Sequence, residues 1–305
     1  MISVLVIGSC TKADMTDGLI PVEFMKESVV VTRGADQSQS FLSGDAFGVM
    51  AYYVPPAVEN AVYMASAKPN FMYNTKVSYD GNLWSYAPVM YWPQKDGASV
   101  NFYAYFPSSS IPGENGITIS PSDRVGYPSF DFEVNQSASV DLLVAEATKC
   151  TAEDGSVVLN FRHLLSKVQF KFKVSNEGGF SYVVNQITIK DVPKSARYTW
   201  PEEGIVFDSS EKIDVIAGDG QGDYLIDTTL PVLIDDLTVY LPPGNLGQIE
   251  IMLNNEAPQT IDYSGLTLIP GKMLTITIEI GLTGIQFTTT VTNWVNGGKA
   301  SGNIS

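Results

Sequence analysis

The sequence is poor in the residues from which most catalytic and metal sites are built. Its 305 residues include one histidine, His163, and two cysteines, Cys10 and Cys150. A histidine-based catalytic triad would have to use His163, and a zinc site would need more ligands than these three residues supply. We therefore predict that the chain has no metal site and no cofactor, and that it is not an enzyme.

Positive charge is also scarce. The 33 acidic residues outnumber the 18 basic ones, so the net charge is −15, and such a chain repels a phosphate backbone. We expect no nucleic-acid partner. No apolar run approaches the roughly 20 residues that a membrane-spanning helix requires. A hydrophobic content of 44% with only 17% charged residues nevertheless excludes a disordered chain.

No long stretch keeps the 3.6-residue period of an amphipathic helix, but several keep the two-residue period of a strand. Residues 168–174, 100–106 and 273–280 alternate most regularly, and glycines and prolines separate the apolar runs. This pattern predicts an all-β fold. The predicted strands are residues 47–54, 83–89, 100–106, 117–119, 130–134, 142–145, 168–174, 184–192, 237–241, 249–253, 273–280 and 285–294.

The chain is long for one hydrophobic core, because domains usually contain roughly 100 to 150 residues. A polar loop at residues 151–156 separates two strand-rich parts. We predict two tandem β-sandwich domains, residues 34–155 and residues 156–305. In the second domain we expect His163 to be a hydrogen-bonded structural residue rather than a catalytic base.

Residues 1–10 have the form of the end of a bacterial lipoprotein signal. A short apolar run precedes Gly8-Ser9-Cys10, and small residues before a cysteine are what signal cleavage and lipid attachment require. No basic residue precedes Cys10, as a signal peptide would need, so we expect that Met1 is not the true start. The alternative is a buried first strand with an ordinary core cysteine. If Cys10 carries lipid, Cys150 has no partner and stays an inert thiol.

Residues 11–33 are predicted to form a tether followed by a strand-like segment. The segment, residues 19–32 (LIPVEFMKESVVVT), is mostly apolar, lies between polar stretches and is closed by Arg33-Gly34. A trypsin-like protease could cut there, although Arg33 is equally compatible with a solvated strand end. The apolar positions change phase near Lys26, so we expect a bulge or a break.

Other candidate sites carry weaker signals. Residues 219–223 (DGQGD) resemble part of a calcium loop but lack its bidentate glutamate, which favours a glycine-rich turn. Two carboxylates could serve a glycosidase, but among 33 acidic residues proximity carries no information. A set of aromatic residues could stack on a sugar, although aromatic residues at strand spacing more often belong to a core. The set is Tyr86, Tyr91, Trp92, Tyr103 and Tyr105.

Seven short motifs occur in an order and spacing that carry a family resemblance. They are Gly8-Ser9-Cys10 and residues 43–49 (SGDAFGV), 91–93 (YWP), 101–107 (NFYAYFP), 141–145 (DLLVA), 161–168 (FRHLLSKV) and 290–294 (TVTNW). Together they resemble the fimbrillin-like proteins of Bacteroidales, the subunits of type V pili. Members of that family are built from two transthyretin-like β-sandwiches, are exported as lipoproteins and are cut by a surface protease after a basic residue.

On this chain the resemblance implies attachment to the outer membrane through lipid on Cys10, and then cleavage at Arg33-Gly34 that removes residues 19–32. The lost strand would leave an apolar groove, which a strand donated by another fimbrial subunit would fill. The carboxy-terminal tail, residues 296–305, is short and polar, so the resemblance leaves the stalk, tip and anchor roles open.

Two functional hypotheses from different classes follow. The first is a structural subunit of a cell-surface fimbrium that serves adhesion. The alternative is a surface lipoprotein of the outer membrane that binds glycans through Trp92, Tyr91 and Tyr86, and a glycosidase is a third and more distant possibility.

Overall fold

A computed structural model describes residues 18–25, 30–31, 38–39, 41–175, 179–202, 204–218, 222–263, 265–281 and 284–293. Cys10, Arg33 and Gly34 lie outside the described residues, and so do Lys26 and residues 219–221. The lipid-attachment site, the cleavage site, the break at Lys26 and the calcium-like loop therefore stay predictions.

Besides 3₁₀ turns at Glu114–Gly116 and Ala152–Asp154, the first half of the described chain contains nine strands and one short α-helix. They are β1 (Val30–Val31), β2 (Ser38–Gln39), β3 (Ala46–Val54), α1 (Asn60–Met64), β4 (Met72–Tyr79), β5 (Trp84–Ser85), β6 (Ser99–Phe106), β7 (Ile117–Ile119), β8 (Ser129–Glu133) and β9 (Leu143–Cys150).

The second half of the described chain adds strands and no α-helix. They are β10 (Arg162–His163), β11 (Ser166–Val174), β12 (Tyr182–Thr199), β13 (Val206–Ile216), β14 (Tyr224–Ile226), β15 (Val232–Leu233), β16 (Val239–Leu241), β17 (Gly244–Asn245), β18 (Gln248–Leu253), β19 (Gln259–Asp262), β20 (Thr267–Leu268), β21 (Lys272–Gly281) and β22 (Gly284–Asn293). The predicted all-β class is confirmed. No described helix has the length and apolar character needed to cross a membrane.

The first sheet is antiparallel and has the strand order β10-β9-β6-β3-β4-β5. Its centre is tightly packed because Gly48 of β3 lies under the ring of Tyr105 from β6. A Cβ atom at position 48 would stand 2.2 Å from that ring, so only glycine fits. The Tyr105 hydroxyl is held in turn by the side chain of Asn74 at 2.5 Å.

A second sheet, which we call the shared sheet, has the order β19-β18-β12-β8-β7. Its long strand β12 pairs with β14 and β13 along one edge and with β18 and β8 along the other. Strands β7 and β8 precede the predicted domain boundary at residue 155, whereas β12 and β18 follow it. One sheet thus contains strands from both predicted domains, and the division itself stays a prediction.

The carboxy-terminal sheet is built around β11. Antiparallel strands β15 and β16 lie on one side of it, and β21 pairs with it in parallel on the other side. Strand β22 then pairs with β21 in an antiparallel hairpin and ends the sheet. The alternating residues of β11 and β21, such as Phe170 and its neighbour Ile276, are fully buried, as the two-residue period predicts.

Two apolar cores result. The large core includes buried residues from all three of the larger sheets, that is, the first, the shared and the carboxy-terminal sheet. The small core lies on the opposite face of the first sheet and contains Val22, Phe24, Phe47, Val49, Ala51, Met72, Val77, Trp92, Val100, Phe102, Ala104, Leu143, Ala145, Val157, Leu159 and Phe161. In β6, Phe102 faces the small core while Tyr103 and Tyr105 face the large one, so both faces of the first sheet are covered, as predicted.

Candidate functional site

The amino-terminal segment, which we define as residues 18–25, lies over the small core beside residues 90–92. The Val22 amide donates to the Met90 carbonyl at 2.8 Å, and the Trp92 amide donates to the Ile20 carbonyl at 2.9 Å. Pro21 and Tyr91 form an isolated antiparallel bridge between these two hydrogen bonds. On this side the segment therefore makes a single isolated β-bridge and does not form a regular strand pair.

The other side of the segment is bonded to Val157. The Val157 amide donates to the Glu23 carbonyl at 2.7 Å, and the Met25 amide donates to the Val157 carbonyl at 2.9 Å. These bonds flank an isolated parallel bridge between Phe24 and Val157. Two backbone hydrogen bonds thus hold the segment on each side, and each contributes only about 0.5–1.5 kcal/mol net.

Burial of two side chains adds to this hold. Val22 is 2% exposed and Phe24 is 6% exposed, whereas Pro21 and Glu23 point to solvent. Ile20 stays 54% exposed. The segment therefore presents two adjacent apolar side chains of one alternating set to the small core.

We call the depression that receives these side chains the groove, and aromatic rings form much of it. The ring of Phe24 meets the rings of Phe47, Tyr86 and Phe102 edge to face, with centroids 5.4, 5.7 and 5.8 Å apart. These distances are in the range where aromatic pairs are attractive beyond simple area burial. The groove is thus shaped to accept a large apolar side chain.

Three of the five aromatic residues predicted as a glycan platform, Tyr86, Tyr91 and Trp92, belong to this arrangement, whereas Tyr103 and Tyr105 are buried in the large core. Trp92 is 4% exposed and packs its ring 5.9 Å from that of Phe102. The Tyr86 hydroxyl donates to the Val22 carbonyl at 2.8 Å, and burial raises the pKa of Tyr86 above its ordinary value. Half-buried Tyr91 forms the bridge to Pro21. These side chains hold the amino-terminal segment and do not form an open sugar-stacking surface.

The prediction that residues 19–32 form one edge strand needs correction. The amino-terminal segment crosses the face of the first sheet, joined by isolated bridges, and does not extend an edge of it. Strand β1, near the end of the predicted strand, pairs with β2 and not with the first sheet. Pro21 has no amide to donate, so it cannot donate on the side of the segment that faces away from residues 90–92. Burial of Val22 and Phe24 favours a position over the core.

No pattern in the sequence identifies the partners of this segment. Residues 90–92 and Val157 are far from it in the chain, and neither stretch is part of a regular strand. Residues 90–92 follow β5 and Val157 precedes β10. They bond to the segment because the path of the chain outside the first sheet brings them beside it.

His163 has the structural role expected of it. Its Nδ1 atom lies 2.8 Å from Oδ1 of Asp141, and the two side chains are 1% and 13% exposed. A substrate cannot reach a ring buried to this degree. Within the part of the chain that the structure describes, no three histidine, cysteine or carboxylate side chains converge as a metal ion would require.

Comparison with known proteins identifies relatives of the whole fold. The model of the fimbrillin-like family matches residues 32–294. Fimbrium subunit Fim1C from Phocaeicola vulgatus is 28% identical over 187 residues, which cover 55% of this chain and 48% of Fim1C. The chain thus spans about half the length of this curated relative.

Solved structures share the architecture. A candidate cell adhesion protein from Bacteroides uniformis superposes with a TM-score of 0.62 at 14% identity, over 92% of this chain and 99% of that one. A fimbrial protein from Bacteroides vulgatus gives a TM-score of 0.58 at 20% identity, over 91% of this chain and 99% of that one. At these identities the likeness shows a common fold.

Proposed function

The chain belongs to the fimbrillin-like family, and from that premise we propose that it is a structural subunit of a cell-surface fimbrium that serves adhesion. The family is one of structural fimbrial subunits and not of enzymes. One relative is named a fimbrium subunit, and similar structures are named fimbrial or cell adhesion proteins. These names support the same role for this chain.

The mechanism we propose is assembly by strand exchange in the groove. The observation that carries it is the amino-terminal segment, a terminal piece of chain that fills an apolar groove through Val22 and Phe24. Cleavage at Arg33-Gly34 would release the segment and leave the amides of Trp92 and Val157 without their acceptors. A strand from another subunit would replace both the hydrogen bonds and the buried side chains.

Free energies explain why cleavage would be needed. Burial of a valine and a phenylalanine contributes about 3–6 kcal/mol, and four backbone bonds contribute about 2–6 kcal/mol. While the segment is tethered it competes at an effective concentration in the millimolar range. Once cut it loses that advantage, and a longer donor strand with more apolar side chains displaces it.

A disulfide lock on the segment tests the mechanism directly. Directly opposed residues in an antiparallel pair have Cα atoms about 4.5–5.5 Å apart, which suits a disulfide. We expect Pro21→Cys with Tyr91→Cys, in a protein carrying Cys10→Ser and Cys150→Ser, to keep the segment in the groove after trypsin cleavage. The oxidised, cut protein should form no polymer and should polymerise when reduced, as measured by light scattering.

A matched lock elsewhere provides the control. Ser78 and Ser85 oppose each other in β4 and β5, and a disulfide there leaves the segment free to depart. Its cut protein should assemble whether oxidised or reduced, and Arg33→Ala should block assembly without any lock. Equal assembly rates for the oxidised and reduced groove lock would contradict strand exchange at this site.

We also propose that Cys10 carries the lipid that anchors the unprocessed protein to the outer membrane. The support is Gly8-Ser9-Cys10 after a short apolar run. Palmitate labelling of cells that express the full reading frame should disappear with Cys10→Ala and persist with Cys150→Ala. Labelling that survives Cys10→Ala would rule out this site.

Glycan binding at Trp92 finds no comparable support, because that ring is buried beneath the amino-terminal segment.

A further inference from the structure

Strand β22 forms one end of the carboxy-terminal sheet. It pairs with β21 without a register shift, from Lys272↔Asn293 to Gly281↔Gly284. Among the described strands, β21 is its only neighbour. The other edge of β22 therefore presents a regular row of backbone donors and acceptors along ten residues.

The composition of β22 does nothing to block pairing at this edge. Its sequence, GIQFTTTVTN, contains no charged residue and no proline, whereas exposed edges are usually protected by charges, prolines, bulges or short length. The long edge strand β13 has such protection, because it carries Asp208, Glu211, Lys212 and Asp214 and shows two register shifts. The edge strands β5, β7, β10, β15 and β19 contain two to four residues each.

One face of β22 continues the apolar side of the sheet. Phe287 lies opposite Ile278, and Val291 lies opposite Leu274, and both β21 residues are buried in the large core. Phe287 nevertheless stays 39% exposed and Val291 52% exposed. The ring of Tyr263, 4.3 Å from that of Phe287, covers only part of this face.

We propose that β22 pairs antiparallel with β22 of a second copy of the chain, with Thr289 at the two-fold axis. In this register Phe287 of each copy lies directly opposite Val291 of the other, so that an aromatic and a β-branched side chain meet twice on the apolar face. On the opposite face, Thr288 lies across from Thr290. Both kinds of cross-strand pair stabilise antiparallel sheets.

The uncharged and self-complementary sequence of β22 favours a second copy as the partner. Each chain carries a net charge of −15, so two copies repel each other over most of their surfaces. The uncharged ten-residue edge lets them meet without placing like charges at the seam, and the spacing of Phe287 and Val291 is self-complementary about Thr289. The pairing involves neither the groove nor the amino-terminal segment, so it is independent of strand exchange.

The first experiment measures the oligomeric state of the uncut protein by sedimentation equilibrium. We expect a concentration-dependent dimer, and Thr289→Lys should weaken it about tenfold or more, because the two lysines would face each other at the axis. Val206→Lys, on the exposed edge strand β13, is the matched control and should leave the dimer unchanged. A Thr289→Lys and Thr289→Glu mixture should form a heterodimer.

A second experiment tests the register, in a protein carrying Cys10→Ser and Cys150→Ser. Thr289→Cys should form a disulfide dimer by itself. Thr288→Cys should cross-link with Thr290→Cys in a mixture and much more slowly with itself. A protein that is monomeric at all concentrations, a dimer that tolerates Thr289→Lys, or equal cross-linking at all three positions would overturn the proposal.

Discussion

The small core and the large core are closed in different ways. The large core lies among three sheets, in which β11 and β21 pair continuously from Lys167↔Met273 to Val174↔Ile280. The small core has one regular face, the first sheet, and its other side is covered by irregular stretches that include the amino-terminal segment. Sheets cover the large core, whereas the small core is covered by a sheet on one side only.

The difference shows that one protein can combine a permanent core with a replaceable cover. A strand in the middle of a sheet cannot leave without breaking its hydrogen bonds to the neighbouring strands on both sides. The amino-terminal segment is held by two backbone bonds on each side, so it can open while the first sheet beneath it stays packed against the shared sheet through the large core. Regions of this kind belong to the low-stability end of a folded protein.

The largest effect is expected in the large core. Phe170 is fully buried in β11, and Phe170→Ala should lower the free energy of unfolding by about 3–5 kcal/mol through lost burial and a cavity. Urea unfolding followed by circular dichroism measures it. Phe180→Ala is the control, since Phe180 is 47% exposed, and it should change stability by no more than about 0.5 kcal/mol. A small effect of Phe170→Ala would show that the ladders do not close this core.

A somewhat smaller and local effect is expected in the groove. Phe24→Ala should lower the free energy of opening the segment by about 3 kcal/mol, while unfolding of the rest of the chain changes less. Hydrogen exchange of the Trp92 and Val157 amides, which donate to the segment, reports the opening. Ile20→Ala should leave exchange nearly unchanged because Ile20 is 54% exposed. If Phe24→Ala instead unfolds the whole chain, the amino-terminal segment does not open independently of the rest of the protein.

Removal of one hydroxyl should produce a third, weaker effect. Tyr86→Phe deletes the 2.8 Å hydrogen bond to the Val22 carbonyl, which should cost about 0.5–1.5 kcal/mol in segment opening by the same exchange measurement. Tyr73→Phe removes a 3.1 Å bond to the Ser120 carbonyl outside the groove and should not alter the exchange of Trp92. Equal effects of the two variants would refute a specific role for Tyr86.

The smallest effect concerns a surface ion pair on the shared sheet. The hydrogen bond from Lys190, whose Nζ lies 2.5 Å from the carboxylate, lowers the pKa of Asp214. A lowered pKa stabilises the fold at pH values above the ordinary pKa of aspartate, about 3.9. This contribution is lost as the pH falls through the lowered pKa of the folded protein. Asp214→Asn should therefore be slightly less stable than the native protein at pH 7, and the difference should vanish in acid.

Exposure and salt limit this last effect. Asp123→Asn, in a surface turn, is the control for the removal of one exposed carboxylate. A difference for Asp214→Asn that grows as pH falls would contradict the assigned direction of the pKa shift.

Most of the long strands could be predicted from the sequence, while many of the short ones could not, and three differences among the longer elements have identifiable reasons. The predicted strand at residues 83–89 shortens to β5, because the chain then leaves the sheet near Pro88, which has no amide to donate. Strand β12 continues past Val192 because Pro193 sits beside a register shift instead of ending the strand. Strand β13 was not predicted, since its charged, exposed side chains give no apolar alternation. Strand β4 was not predicted either.

The sequence by itself determined where most of the long strands lie and which of their faces are buried, because the two-residue period of a strand is a local property. It also indicated an apolar element before Arg33. Only the tertiary structure decided that β8 joins β12 across the predicted boundary, that Val22 and Phe24 lie between residues 90–92 and Val157, and that the edge of β22 stays open among the described strands. These features depend on contacts between residues far apart in the chain, and no local period specifies which edge or face another part of the chain will cover.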